Sequence, residues 1–221
     1  GGRLRVAAGT YAHGIAVLPA AIDLINTHPS IRLELLERDW AAVAGMLMAD
    51  RVDFAVFDIA SLRGMPALRV EPLGSMQGVY FCRAGHPLLK KSPLRPDDVR
   101  KFPLVSTSMS HIHVGLIEDI DPGFTVDPVT GNILPSIAVS SAQVSREIVA
   151  ATDAIGISHV SHMAEGLAAG RFAILDLPWR RALPMAEMGI AYKRERTLPP
   201  SARTFIALIR KRMRAQARPA K

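Results

Sequence analysis

The spacing of apolar residues changes once within residues 4–29. Leu4, Val6 and Ala8 alternate as on a short strand, and Gly9 interrupts them. Ile15, Leu18, Ile22 and Ile25 then recur at spacings of three, four and three, which predicts one buried stripe on a helix. Thr10, Tyr11, Ala12 and His13 fall between the strand's carboxyl end and the helix's amino end. In open α/β sheets ligands bind at this junction, where unpaired helix N–H groups and the positive end of the helix dipole point. Alternation over 31–35, a helix from Trp40 to about 49 capped by Asp39, and a buried strand over 53–57 follow; Asp58 opens the next loop. Three strands joined by two helices make a βαβαβ half, which implies parallel strands and right-handed crossovers.

Residues 68–73 and 79–82 read as two further strands, after which a second series begins. A strand over 103–105 leads into the hydroxyl-rich loop Ser106, Thr107 and Ser108. A helix is expected over 110–120, with Ile112, Leu116 and Ile120 four apart. Residues 121–136 are turn-rich, with room for one strand. A strand over 137–139, a helix opened by a Ser140/Gln143 capping box, a strand over 154–160 and a helix over 161–169 stopped by Gly170 come next. Strands over 172–175 and 188–193 precede a last helix capped by Ser201, with Phe205, Leu208, Ile209 and Met213 facing inward. The fold class is therefore α/β, in two comparable halves.

The 221 residues, 49% hydrophobic, suffice for a sizeable core, and no apolar run is long enough to span a membrane. Nor does the opening read as a secretory signal. Cys82, the single cysteine, excludes an intrachain disulfide and is expected to pack as a small hydrophobe, with redox sensing as the other reading. The net charge of +7 suggests nucleic acid until it is located. Arg210, Lys211, Arg212, Arg214, Arg218 and Lys221 crowd the last twelve residues without an acid, so the rest of the chain is nearly neutral. A solvated basic helix end explains them, and a phosphate contact is the alternative.

Phosphate-binding glycine loops, dinucleotide fingerprints, nucleophile elbows and HExxH are all missing, so no catalytic residue is expected. His159 and His162 lack a third ligand, and no metal or cofactor is expected. His111 and His113, two apart, should leave one exposed and one half-buried. Glu118, Asp119 and Asp121 are read as solvating a helix end. What remains is hydroxyl and imidazole groups at strand ends: Thr10, Tyr11 and His13 in the first half, Ser106, Thr107, Ser108 and His111 in the second. Each alone could equally be a helix cap or turn former.

The ordered set GRLRV at 2–6, Leu18-Pro19, His28-Pro29, Leu33-Glu34-Leu35, RVDFAV at 51–56, RAGHPL at 83–88, IVAATDAIGI at 148–157, Gly170-Arg171-Phe172 and residues 201–208 resembles the effector-binding domain of LysR-type transcriptional regulators along essentially the whole chain. The resemblance implies a type 2 periplasmic-binding-protein-like fold of two lobes with a ligand cleft between them. Lobe I would be residues 1–76 and 185–221, and lobe II 77–184. It also implies a cytoplasmic, non-catalytic module that forms a homodimer or homotetramer. DNA would be met only through an amino-terminal winged helix-turn-helix that this chain lacks, and a membrane not at all. Binding of the effector, an organic or aromatic carboxylate or an amino acid, would shift lobe and subunit arrangement. Carried over by position, Thr10, Tyr11, Trp40, Asp58, Ser106, Thr107, Ser108 and His111 would hold it, with His13 beside them. A carboxylate at Asp58, where the family often has a small or hydroxyl residue, would repel an anion or favour a ligand carrying an amine. A free-standing solute-binding protein of a transporter would use the same fold and is the alternative; a small α/β enzyme is a more distant one.

Overall fold

The computed structural model describes residues 2–62, 64–180 and 185–216, with the side chains of Trp40, Ser61, Ile112, Met185 and Gln216 outside that description. The chain divides into two compact units, one running up to Met76 and resuming at Ala186, the other Gln77–Met185.

In the first unit β1 (Arg3–Ala8) lies between β2 (Arg32–Glu37) and β3 (Phe54–Asp58), parallel to both, with Ala8 opposite Glu37 on one side and Val56 on the other. The βαβαβ expectation holds. α1 (Thr10–Ala12), a π-helical turn (His13–Val17) and α2 (Leu18–Thr27) form one continuous rod after β1. α3 (Trp40–Met48) follows β2, and Asp39 caps it by accepting the Ala42 N–H at 2.9 Å. A short 3-10 turn, Ile59–Leu62, follows β3.

The rod's buried face differs from the predicted stripe. Val17, Ala20, Ala21 and Leu24 are buried, while Leu18, Ile22 and Ile25 are 44–53% exposed. Alanines at the contact let the rod lie close to its neighbours, so small residues face inward and the larger aliphatics outward.

β4 (Leu68–Arg83) is one 16-residue strand where two were expected. Gly74 adopts φ +144°, open to glycine, and the strand continues through residues 74–78. β4 carries the chain into the second unit, where β5 (Leu104–Thr107), β8 (Ile137–Val139) and β9 (Ile155–His159) join its second part. β5 is parallel to β8 and β9, and β9 runs antiparallel to β4. Residues 121–136 hold a small antiparallel ribbon, β6 (Thr125–Val126) with β7 (Ile133–Leu134), rather than one strand.

α4 (Pro96–Val99) precedes β5. α5 (Ala142–Ala151) is capped by Ser141, whose Oγ accepts the Val144 N–H at 3.3 Å, one residue later than the expected Ser140 cap. α6 (Val160–Ala168) follows β9, and β10 (Phe172–Ile174) pairs with β4.

The expected helix over 110–120 is a 3-10 segment, His111–Leu116, ending at Ile117 with φ −124°. Gly115 and β-branched Val114 are poor helix formers. The acids beyond it are structural rather than solvating. Buried Asp121 accepts the Ser136 N–H at 2.7 Å and the Gly123 N–H at 3.2 Å, while Asp119 accepts the Trp179 indole N–H at 2.8 Å and pairs with Arg180.

β11 (Met185–Lys193) returns to the first unit, where it runs antiparallel to β3, and α7 (Pro200–Gln216) buries Phe205, Ile209 and Met213. Of the basic tail, Arg212 pairs with Asp23 and Arg210 with Glu71; Arg218 and Lys221 lie outside the described residues.

Candidate functional site

Because β2, β1 and β3 are parallel neighbours, their carboxyl ends fall on one sheet edge, and the sequence-predicted residues of the first unit gather there. Gly9 is extended (φ −67°, ψ 152°) and donates its N–H to the Val56 carbonyl at 3.1 Å, which turns the chain out of β1. A Cβ at Gly9 would stand 3.3 Å from the Phe57 ring, so glycine keeps this turn close to β3. Thr10 and Tyr11 form the first helical turn, so the helix already begins within the cluster expected to precede it; both are half-buried, and Tyr11 packs on the core. His13 lies a turn further, with Nδ1 3.8 Å from Glu37 Oε2 at the end of β2. Trp40 opens α3, its side chain outside the described residues. Asp58 ends β3 and accepts the Ala60 N–H at 3.0 Å, as a turn former does.

Glu37 was not singled out from the sequence. Its Oε1 is buried and makes no hydrogen bond among the described residues. Burying a carboxylate oxygen without a donor is costly, so the edge presents an acceptor that an amine or amide would satisfy. The signal was present, since Glu37 lies one turn of alternation beyond Leu33 and Leu35, but charge at a strand end is usually solvated.

In the second unit the corresponding edge carries Ser106 and Thr107 as the last residues of β5, with Ser108 just beyond. Ser106 is buried, Thr107 and Ser108 half-buried. A bridge fixes this loop: Met109 N–H donates to the Ile133 carbonyl at 3.0 Å, and Ile133 N–H to Met109 at 2.8 Å. His111 is exposed and His113 half-buried, as the two-residue spacing implied. β9 ends on the same edge with His159, and one turn into α6 His162 Nδ1 lies 3.3 Å from Ser158 Oγ. Burial, with help from the charges of Arg146 and His159, lowers the His162 pKa to about 4.

Cys82 is buried in β4 and its thiol pKa is pushed up to about 11 by that burial, so it is a packing group and not a thiolate. No cluster of metal-ligating side chains occurs among the described residues, and none of their helices is long and apolar enough to cross a membrane.

Two α/β units joined by two crossings of the chain, with parallel strands ending in helix starts in each, have the architecture of the periplasmic-binding-protein-like class. The chain belongs to the LysR substrate binding domain family, whose model matches residues 1–214. It is 30% identical over 212 residues to the SDS degradation transcriptional activation protein of Pseudomonas sp. (strain ATCC 19151), a match covering 94% of this chain and 66% of that protein. The chain thus spans just under two thirds of this curated relative. Solved structures that share its fold include two LysR-type regulators. The regulatory domain of MetR, a LysR family regulator from N. meningitidis, gives a TM-score of 0.71 at 18% identity, covering 97% of this chain and 94% of the other. CrgA, a LysR-type regulator from Neisseria meningitidis, gives 0.72 at 16%, covering 96% and 68%.

Proposed function

We propose that this chain is the small-molecule sensing and oligomerising part of a cytoplasmic, non-catalytic LysR-type transcriptional regulator, and that it reads an amino acid or a related carboxylate carrying an amine. Thr10, Tyr11, His13, Trp40 and Asp58 at the first unit's strand edge, and Ser106, Thr107, Ser108 and His111 at the second's, are the contacts. The observation that carries the ligand class is the pair of carboxylates at the first edge: Asp58, and Glu37 with its buried Oε1 lacking a donor among the described residues. They suit an ammonium group, while the Thr10 hydroxyl and the adjoining helix start suit a carboxylate. Binding selects one conformation from the ensemble, and the coupled change in DNA affinity belongs to the whole regulator. Oligomerisation uses the exposed Leu18, Ile22 and Ile25 of α2 against a second copy.

A thermal-shift panel of amino acids, aliphatic and aromatic carboxylates and alkyl sulfates tests this. Alkyl sulfates are included because the curated relative is named for SDS degradation. A ligand at a hundred times its dissociation constant adds about 2.7 kcal/mol, or roughly 5–10 °C for a chain of this size. Amino acids are expected to give the largest shift. A response confined to ligands without an amine would overturn the proposed class.

A further inference from the structure

Away from the strand edges, the first unit contains a cavity of about 410 Å³ lined by Arg69, Arg194, Arg196, Arg203 and Arg210 with a single carboxylate, Glu71. The remaining wall is Tyr192, Leu198, Ile206 and Ala207. Five guanidiniums around one acid is an unusual concentration in a chain whose body is nearly neutral.

Three of the five are accounted for internally. Glu71 accepts Arg69 Nε at 3.0 Å and also pairs with Arg210, while the Tyr192 hydroxyl donates to it at 2.7 Å. Arg196 pairs with buried Asp53 and, at 3.4 Å, with Asp50. The other two have no acid among the described residues. Arg194 donates Nε to the Pro66 carbonyl at 3.0 Å and Nη2 to the Leu68 carbonyl at 3.2 Å, which holds its guanidinium in place without an acid among the described residues. Arg203 makes no side-chain hydrogen bond or ion pair among the described residues.

Arg203, like Arg194, is exposed, so both charges face solvent at the cavity mouth. Arg203 lies one turn into α7, where a cation opposes the helix dipole, and the first turn of α7 carries no acid. Two solvent-facing guanidiniums without an acid partner among the described residues, one anchored through backbone carbonyls, beside an aliphatic wall of Leu198, Ile206 and Ala207, suit an oxyanion on an apolar body.

We propose that this cavity is a second ligand site of the chain, separate from the strand-edge residues, that binds a small amphiphilic oxyanion (an organic sulfate, phosphate or carboxylate without an amine) through Arg194 and Arg203. Occupation pairs the cation at the start of α7, the helix that also carries Arg210 and Arg212, with an anion.

The test is calorimetric titration of the purified chain with hexyl sulfate below its micelle concentration, with hexanoate, hexanol and sodium sulfate alongside. Hexyl sulfate or hexanoate should bind at least about tenfold more tightly than hexanol or sodium sulfate, and more weakly as salt rises. Arg203→Gln, which removes no contact of the fold, should weaken binding about tenfold with an unchanged melting temperature. Thr10→Val should leave it unaltered. The proposal is overturned if Arg203→Gln binds hexyl sulfate and hexanoate as the parent does, or if Thr10→Val abolishes that binding, which would assign it to the strand edge. It is also overturned if neither probe binds while a DNA duplex binds the parent and not Arg203→Gln.

Discussion

His162 stays neutral in the folded chain because its ring is largely buried and Arg146 and His159 disfavour a further positive charge. Its folded pKa of about 4 lies below the ordinary 6.5, so between those values the unfolded chain takes up a proton that the folded chain does not. The folded state is therefore penalised as pH falls from about 6.5 to about 4, and above that window His162 contributes nothing to pH dependence. A His162→Gln variant should lose less melting temperature than the parent over this interval. Equal losses would show that His162 is protonated in the fold. Asp23, Asp50, Asp98 and Asp127 titrate lower than usual, held down by hydrogen bonds from Arg212, from Lys193, from Lys91 and from the Thr130 and Val129 N–H groups respectively, and act equally on both proteins.

Among the elements, the β4–β9 ladder of the second unit is the most demanding in shape. Gly156 lies directly opposite Phe81, and a Cβ there would stand 2.2 Å from one carbon of the Phe81 ring. That ring is fully buried and meets Phe172 edge-on with centroids 5.4 Å apart, so it has nowhere to withdraw. Gly156→Ala should cost about 1–3 kcal/mol, read as a fall of roughly 2–12 °C in melting temperature. An unchanged value would mean that the aromatic pair repacks freely.

Elements whose apolar period is locally consistent were legible in the sequence: β1, β2, β3, α3 with its Asp39 cap, and α7 with Phe205, Ile209 and Met213 inward. Those decided by tertiary fit were not. The rod after β1 buries alanines and exposes Leu18, Ile22 and Ile25, because close approach outweighs side-chain size. β4 passes through Pro72 and Gly74, and the 111–116 segment tightens to a 3-10 turn. Strand-end hydroxyls were visible as types at junctions. The arginine cavity was not, since residues 69–71 and 192–210 meet only in the fold.

On the scale of the whole molecule, the proposed pairing would cover the apolar row on α2. Three large aliphatics about half exposed on successive turns are costly on an isolated surface and suit a self-complementary interface. Ile22→Glu should convert the assembly to monomer in light scattering at micromolar concentration, with the melting transition retained; a parent already monomeric under those conditions would contradict the proposed pairing.

Effector recognition is proposed to sit at the strand-end residues around Thr10. The most direct measurement is calorimetric titration of the panel's strongest amine-bearing ligand into the parent and into Thr10→Val. Loss of one hydrogen bond to a charged group is worth about 1.5–3 kcal/mol, so the variant should bind roughly tenfold or more weakly with its melting temperature unchanged. Equal affinity in the two proteins would remove Thr10 from the site and contradict the account.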